Sequence, residues 1–514
     1  MESVTINSSL KKRNSLFIIL SFLLFIGIAV INISFHEMWR DELQALMIAG
    51  ESYSFSELFT NTNFEYSPLL WHACLYLLRN LPNPILVLKI LNLIIVATTI
   101  YVFLKFSPFT KLQKLLFSLG YFPLYEYGTI SRNHSLNILF IFLFCVFFKP
   151  KQKNYLLISL ILFLLCQVNL LSLVIAAILI ATLLFDYLLS KKLYSERGLT
   201  FIKKIEICIS SIIILSAFLT SFISARTIKM TVHILKQAVN FKSIANASII
   251  IWRSYVPIPK INYNFWNSNI IDSNTAQIIL SILLFSLVII FLHRKPIACF
   301  LYTLGTSLLV FSLGKIYYYS SDTFHFIRYE GYAYILLVIC FWIESYYYTT
   351  NLSIGYPGGL TKICNKSRNI FLTTILAIHF TIGMVASLTE WFHPFSASKD
   401  VANFIKKNNM GNLLMAGDWD FSVSAISFYL NKKIYYPRSD TFGSYIIWNN
   451  ERKIKNNRDD IDFYTKIREF KKTKKEDILL LMTYELDDSK IPIKKIKEFT
   501  QSIVDDERYY LYLY

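Results

Sequence analysis

Phe35-His36-Glu37-Met38-Trp39-Arg40-Asp41-Glu42 packs three acids, an arginine and a histidine into eight positions directly after a long apolar run. A carboxylate at a water–lipid boundary is costly unless it is solvated, paired or used. Asp41 is a candidate general base, a group able to take the proton from a hydroxyl or amine nucleophile in glycosyl transfer, with Glu42 beside it to orient an acceptor or ligate a cation. The bland alternative stays open: Asp41 and Glu42 could be first-turn acids that complement a helix dipole.

Three further polar stretches could join this pair. Phe64-Glu65-Tyr66-Ser67-Pro68-Leu69-Leu70-Trp71-His72 carries a proline suited to a helix start and an imidazole, His72, that is either an interface residue or a ligand. Tyr125-Glu126-Tyr127-Gly128-Thr129-Ile130-Ser131-Arg132-Asn133-His134 supplies Glu126 and a guanidinium, Arg132, suited to clamping phosphate. Lys315, Asp322, His325 and Arg328-Tyr329-Glu330-Gly331 form the third. A basic loop with Arg226, Lys229, Lys236, Lys242, Arg253 and Lys260 could hold a lipid phosphate or touch anionic lipid.

What must position these groups is a membrane domain. Of 514 residues, 54% are hydrophobic and 16% aromatic. Many apolar runs approach the roughly 20 residues that cross a bilayer. A formal charge of +18 invites a nucleic-acid reading. The lysines and arginines lie instead in short loops between apolar runs, as the positive-inside rule expects. Seven cysteines, none in a C-x-x-C pair, read as small core residues.

The first run follows Lys11-Lys12-Arg13 and lacks a cleavage site, so it reads as a span with a cytoplasmic N-terminus. The stretch 68–78 is short for a span. Placing it on the outer surface puts the basic loops 149–153, 191–204, 293–295 and 362–368 inside. About eleven spans result: 15–34, 84–104, 112–126, 134–148, 154–168, 170–189, 205–224, 276–292, 297–313, 329–346 and 370–388. Segments 35–83, 126–133, 225–275 and 314–328 and the tail from 390 then face outward, with a short amphipathic helix expected at 42–48 on the interface. The chain divides into a membrane domain, 1–389, and an extracytoplasmic α/β domain, 390–514. The tail pattern predicts helices at 400–407, 423–430, 462–470 and 493–499, strands at 413–416, 434–436, 478–482 and 509–514, and a largely parallel sheet.

Taken together, these segments resemble integral-membrane glycosyltransferases of the GT-C class, such as protein O-mannosyltransferases and lipid A aminoarabinose transferases. Trp39-Arg40-Asp41-Glu42 matches the acidic pair of their first outer loop. Ser67-Pro68-Leu69-Leu70-Trp71 resembles their H-P-P-L surface helix in part, with Ser67 in place of His and Leu69 in place of the second Pro. A bacterial branch of that class is more similar, through Met38 to Glu42, Glu126 to Asn133, Arg328 and Tyr435 to Trp448; Arg328-Tyr329-Glu330-Gly331 departs from its Arg-His-x-Gly by one residue.

The resemblance implies an inverting hexosyl or pentosyl transferase of the cytoplasmic (inner) membrane. It implies a polyprenyl-phosphate sugar donor, and an envelope glycan, lipid or protein acceptor on the outer face. Asp41 would be the base and Glu42 an acceptor or metal contact. Arg328, Arg132 and Lys315 would hold the donor phosphate, with Glu126, His72, Trp39 and Arg40 around the acceptor. Some members use a divalent cation (Mg or Mn), which Glu42 and Glu126 could bind. A lipid-linked glycan flippase, polymerase or other transporter is the alternative. Such proteins carry ionisable groups at mid-membrane or broken helices in matching halves, and neither pattern is apparent here.

Overall fold

The computed structural model describes residues 2–63, 65, 67–150, 153–194, 201–221, 241–316, 326–347, 358–448 and 463–514. Arg226, Lys229, Lys236, Asp322 and His325 lie outside the described residues. Among the described residues, seven helices are long and apolar enough to cross a membrane: Asn14–Phe35, Pro84–Phe106, Leu170–Leu189, Lys203–Ser221, Asn274–Leu292, Pro296–Lys315 and Lys366–Phe392. At 1.5 Å per residue, such lengths span about 30 Å. His134–Phe147 and Tyr155–Cys166 are apolar but shorter. Ile327–Glu344 has the length but carries Arg328, Glu330 and Glu344.

The remaining expected segment, 112–126, is not one straight helix. Lys111–Ser118 ends at Leu119, and Tyr121–Glu126 forms a fully buried π-helical turn. Pro123 lies inside that turn and has no amide proton to give. The next residues, 127–131, are buried as well. Their backbone is paid for by side chains: Asn92 Nδ2 donates to the carbonyls of Tyr127 (3.3 Å) and Gly128 (3.0 Å).

Glycines let two helices approach this turn. A Cβ on Gly331 would collide with the Tyr127 hydroxyl and the Phe122 ring. A Cβ on Gly383 would lie 2.9 Å from backbone atoms of Leu119, Gly120 and Tyr121. The close fit lets the Tyr127 hydroxyl donate to the Arg328 carbonyl at 2.7 Å. The turn and the first turn of Ile327–Glu344 are thereby locked together.

The segment after the first span folds into short helices. α1 (Glu2–Phe35) ends where Lys89 Nζ donates to the carbonyls of Ile33 (2.7 Å) and His36 (2.8 Å). α2 (Arg40–Glu51) opens with Asp41 and Glu42 in its first turn, and the Glu42 carboxylate accepts from the Trp39 amide at 3.2 Å. α3 (Phe55–Thr62) and α4 (Leu70–Leu78) follow, with Trp71, His72 and Leu75 buried. The amphipathic helix expected on the interface is α2, but residues 42 to 49 are all buried, because the tail helix Asp420–Leu430 covers its second face.

The tail is a six-stranded sheet in the order β3-β2-β1-β4-β6-β5. Its strands are β1 (Leu414–Gly417), β2 (Ile434–Tyr436), β3 (Thr441–Gly443), β4 (Ile478–Met482), β5 (Lys494–Phe499) and β6 (Tyr509–Leu513). β1 pairs in parallel with β2 and β4, while β2–β3, β4–β6 and β5–β6 are antiparallel, so the sheet is mixed and not largely parallel. The helix expected at 493–499 is β5. Ile493, Ile496 and Phe499 recur every third residue, as on a helix face. The stretch instead forms an edge strand whose lysines stay in water and whose pairing with β6 is bulged between Lys495 and Lys497.

Replacing Gly331 with alanine should lower stability by about 1–3 kcal/mol through overpacking against Tyr127 and Phe122. A drop in the thermal midpoint of the detergent-solubilised protein checks this, and an unchanged midpoint would refute the close approach.

Candidate functional site

α2, α4, the 127–133 turn, the start of Ile327–Glu344 and the tail converge on one cavity of about 380 Å³. Asp41 stands at its edge with its side chain 29% exposed. Its Oδ2 accepts from Arg328 at 2.8 Å and from Arg132, and Arg40 Nε lies 3.8 Å from Oδ1. Burial alone would push the Asp41 carboxyl up, but Arg132, Arg328 and Arg40 hold it well below the usual carboxylate range. Arg40 is itself shared with the tail: it donates to Asp506 at 2.6 Å, and Glu507 accepts from its amide at 3.0 Å. Arg132 and Arg328 thus face one carboxylate with two guanidiniums, leaving local positive charge for an anion.

Arg328 is positioned by its helix and by rings. Asn267 Oδ1 caps Ile327–Glu344 by accepting from the Ile327 amide at 3.0 Å. The Arg328 guanidinium lies 4.7 Å from the Trp39 ring centroid and 5.5 Å from that of Trp266. Its Nε is buried without a partner, a donor still available. Neighbouring Glu330 points elsewhere and makes a buried ion pair with Arg253 at 2.8 Å.

Behind Asp41 lies a buried relay of charges. Glu42 is 1% exposed; its Oε1 accepts from the Ser131 amide at 2.6 Å and its Oε2 meets His36 Nε2 at 2.9 Å. His36 Nδ1 meets Glu390 Oε1 at 2.5 Å. Burial would lower the His36 pKa, but the carboxylates of Glu42 and Glu390 on either side raise it to about 10. A doubly bonded imidazolium therefore joins α2 to the end of the Lys366–Phe392 span.

The cavity gathers Asp41, Arg40, Arg132, Arg328 and His72 of the expected residues. Trp39 lies beneath, fully buried, as the ring under Arg328 and Arg40. Glu42 supports the turn that carries Arg132 and does not line the cavity. Lys315 does not line it either; its Nζ lies 5.8 Å from the Phe311 ring centroid. Glu126 is buried away from the cavity and accepts from Tyr121 and from Trp266, each at 3.0 Å. Among the described residues, no group of three His, Cys, Asp or Glu side chains could hold a metal ion. The oxygens of Glu42 already serve His36, Trp39 and Ser131, so Glu42 and Glu126 do not form a cation site together.

Several residues of the site carry no local signal. His36 and Glu390 are 354 positions apart, and nothing in their spacing links them. Trp266 comes from the basic loop and Phe421 from the tail, whereas Ile446 and Trp448 lie in the tail stretch, Tyr435 to Trp448, that carries the resemblance. Gln44 ties that tail segment down: its Nε2 donates to the Ile446 carbonyl at 2.8 Å, and its Oε1 accepts from the Ile446 amide at 3.0 Å.

No family model matches the chain, and no curated protein matches it. Among solved structures it is similar to ArnT from Cupriavidus metallidurans, which was crystallised bound to undecaprenyl phosphate. That likeness covers 95% of this chain and 97% of ArnT, at 12% identity and a TM-score of 0.46. Likeness at this level says nothing about ligands, and the bound lipid phosphate is a property of ArnT.

The His36 relay predicts a pH dependence. Its folded pKa of about 10 exceeds the unfolded value near 6.5, so its contribution is fully present below pH ~6.5 and is lost as pH rises through 10. Folding stability should fall between pH 7 and pH 10, by up to about 1.4 kcal/mol per pH unit from this group, and the thermal midpoint should fall with it. His36→Gln should flatten that slope; an equal slope in the variant would contradict the relay.

Proposed function

We propose that this protein is a membrane glycosyltransferase that moves a sugar from a polyprenyl-phosphate-linked donor to an envelope glycan, lipid or protein on the outer face of the cytoplasmic membrane. The observation that carries this reading is the Asp41 carboxylate bonded to both Arg132 and Arg328 at the edge of a cavity beside membrane-length helices. A carboxylate and a pair of guanidiniums are the two parts such a transfer needs: a base for the nucleophile and a cradle for the phosphate that leaves.

The chemistry follows from these groups. The acceptor hydroxyl attacks the anomeric carbon, and its oxygen forms the new glycosidic bond with inversion. The bond from that carbon to the phosphate oxygen breaks, and the electron pair leaves with the polyprenyl phosphate. Asp41 takes the hydroxyl proton and later passes it to solvent. Arg132 and Arg328 stabilise the charge growing on the phosphate, and Arg328 Nε supplies a donor not otherwise used.

Clamped by guanidiniums, Asp41 is a weak base. A donor phosphate that shares Arg132 and Arg328 relieves that clamp and raises the basicity of Asp41. The base is thereby strengthened when donor is present, which suppresses unproductive proton removal in the empty site.

Asp41→Asn should reduce sugar transfer by at least ~10²-fold while the protein still inserts and folds. Arg328→Ala should cost about 10²–10³-fold. Both are read by the transfer of radiolabelled sugar from polyprenyl-phosphate hexose into envelope material, comparing membranes with and without each variant. Full transfer by Asp41→Asn would remove Asp41 from the role of base.

A further inference from the structure

Besides Arg328 Nε, three polar atoms on residues lining the cavity are buried without any hydrogen-bond partner: His72 Nδ1, Asn133 Oδ1 and His134 Nε2. Each residue is no more than 4% exposed. Buried donors and acceptors left unmade are costly, and clusters of them in native proteins call for a partner. Here all three belong to residues lining one cavity, and two of those residues directly follow Arg132 in the chain.

Their hydrogen-bonding character can be assigned from their surroundings. Asn133 Nδ2 donates to the Val168 carbonyl at 3.2 Å and to Ser67 Oγ at 3.1 Å, which fixes the amide so that Oδ1 is a free acceptor. Asn169 Nδ2 donates to the Tyr332 hydroxyl at 3.0 Å, and that hydroxyl lies 2.7 Å from His134 Nδ1. The Tyr332 hydroxyl can give its proton to Nδ1 or accept from it, so His134 Nε2 donates or accepts according to tautomer. His72 is kept neutral by burial and by the nearby charge of Arg132, and its Nδ1 accepts or donates according to tautomer.

We propose that His72, Asn133 and His134 form the subsite for the donor's sugar ring, and that this sugar is neutral, with free hydroxyls. This rests on the reading of Arg132 and Arg328 as the phosphate cradle. The sugar is bonded directly to that phosphate, so groups flanking Arg132 are where its ring must lie. A hydroxyl both donates and accepts, and it matches a wall offering one fixed acceptor, Asn133 Oδ1, and two neutral imidazoles able to donate or accept. An ionised uronic acid would need donors alone, and an ammonium sugar acceptors alone. The Glu65 carboxylate also lines the cavity, but Gln44 Nε2 already donates to it at 2.9 Å. Trp71, buried in the same wall, adds an apolar face of the kind that packs against a pyranose ring.

Equilibrium binding to the full chain in lipid nanodiscs tests this with four probes: bare polyprenyl phosphate and the same lipid carrying a neutral hexose, a uronic acid or an amino sugar. The wild-type protein should bind the hexose lipid about tenfold tighter than the bare lipid, as one or two net hydrogen bonds allow. Asn133→Ala and His134→Ala should bring that ratio to about 1, and His134→Gln, which can donate or accept at the same reach, should restore most of it. Arg328→Ala should weaken binding of all four. If bare polyprenyl phosphate does not bind, the phosphate cradle fails. If it binds with a wild-type ratio of 1, or if the alanine variants keep the tenfold ratio, the sugar subsite alone is overturned. Tighter binding of the uronic or amino-sugar lipid overturns the neutral class.

Discussion

Asp41 meets Arg132 and Arg328 across 91 and 287 positions of chain, and most of the surrounding architecture exists to make that meeting possible. A single carboxylate shared by guanidiniums fixes α2, the 127–133 turn and the start of Ile327–Glu344 against one another. Each partner must arrive on rigid backbone, because a long guanidinium arm placed by a loose loop would lose most of its pairing energy to entropy. The π-turn, the glycine contacts and the Tyr127-to-Arg328 carbonyl bond supply that rigidity. The rings of Trp39 and Trp266 then hold the guanidinium of Arg328 in place.

Directly behind this pairing, Glu42, His36 and Glu390 form a second, drier set of charges. The two layers divide the work of adjacent acids. Asp41 faces the cavity and is partly exposed, whereas Glu42 faces inward and is spent on the Ser131 amide and the imidazolium. Neighbouring residues on a helix point about 100° apart, so an acidic pair at a helix start naturally splits in this way. The two placements left open by the sequence coexist in the structure. The pair does occupy a first helical turn, and one member does line a cavity.

Much of the membrane domain was legible in the sequence, since apolar runs of bilayer length have few other meanings. All eleven expected segments contain helix, though 112–126 is interrupted where Gly120 and Pro123 stop it. Legible too was the set Asp41, Arg132 and Arg328, because charges at the ends of apolar runs stand out. Illegible were partners on other segments, such as Glu390 for His36, Trp266 under Arg328 and Ile446 against Gln44. Pairing across hundreds of residues leaves no periodic trace. β5 misled for a different reason: its apolar residues fall every third position, and sheet-edge pairing overrode a helix-like pattern.

Arg40, the immediate neighbour of Asp41, is held by Asp506 and Glu507, and Gln44 is held by Ile446. In time rather than space, this orders biogenesis. The segment 35–83 is made long before the ribosome reaches position 446, let alone 507. Until those residues have folded onto α2, the cavity lacks the wall that Phe421, Ile446 and Trp448 provide. A nascent chain is therefore unfinished at this site. Completion of the site becomes a late checkpoint, reached after the whole domain has folded.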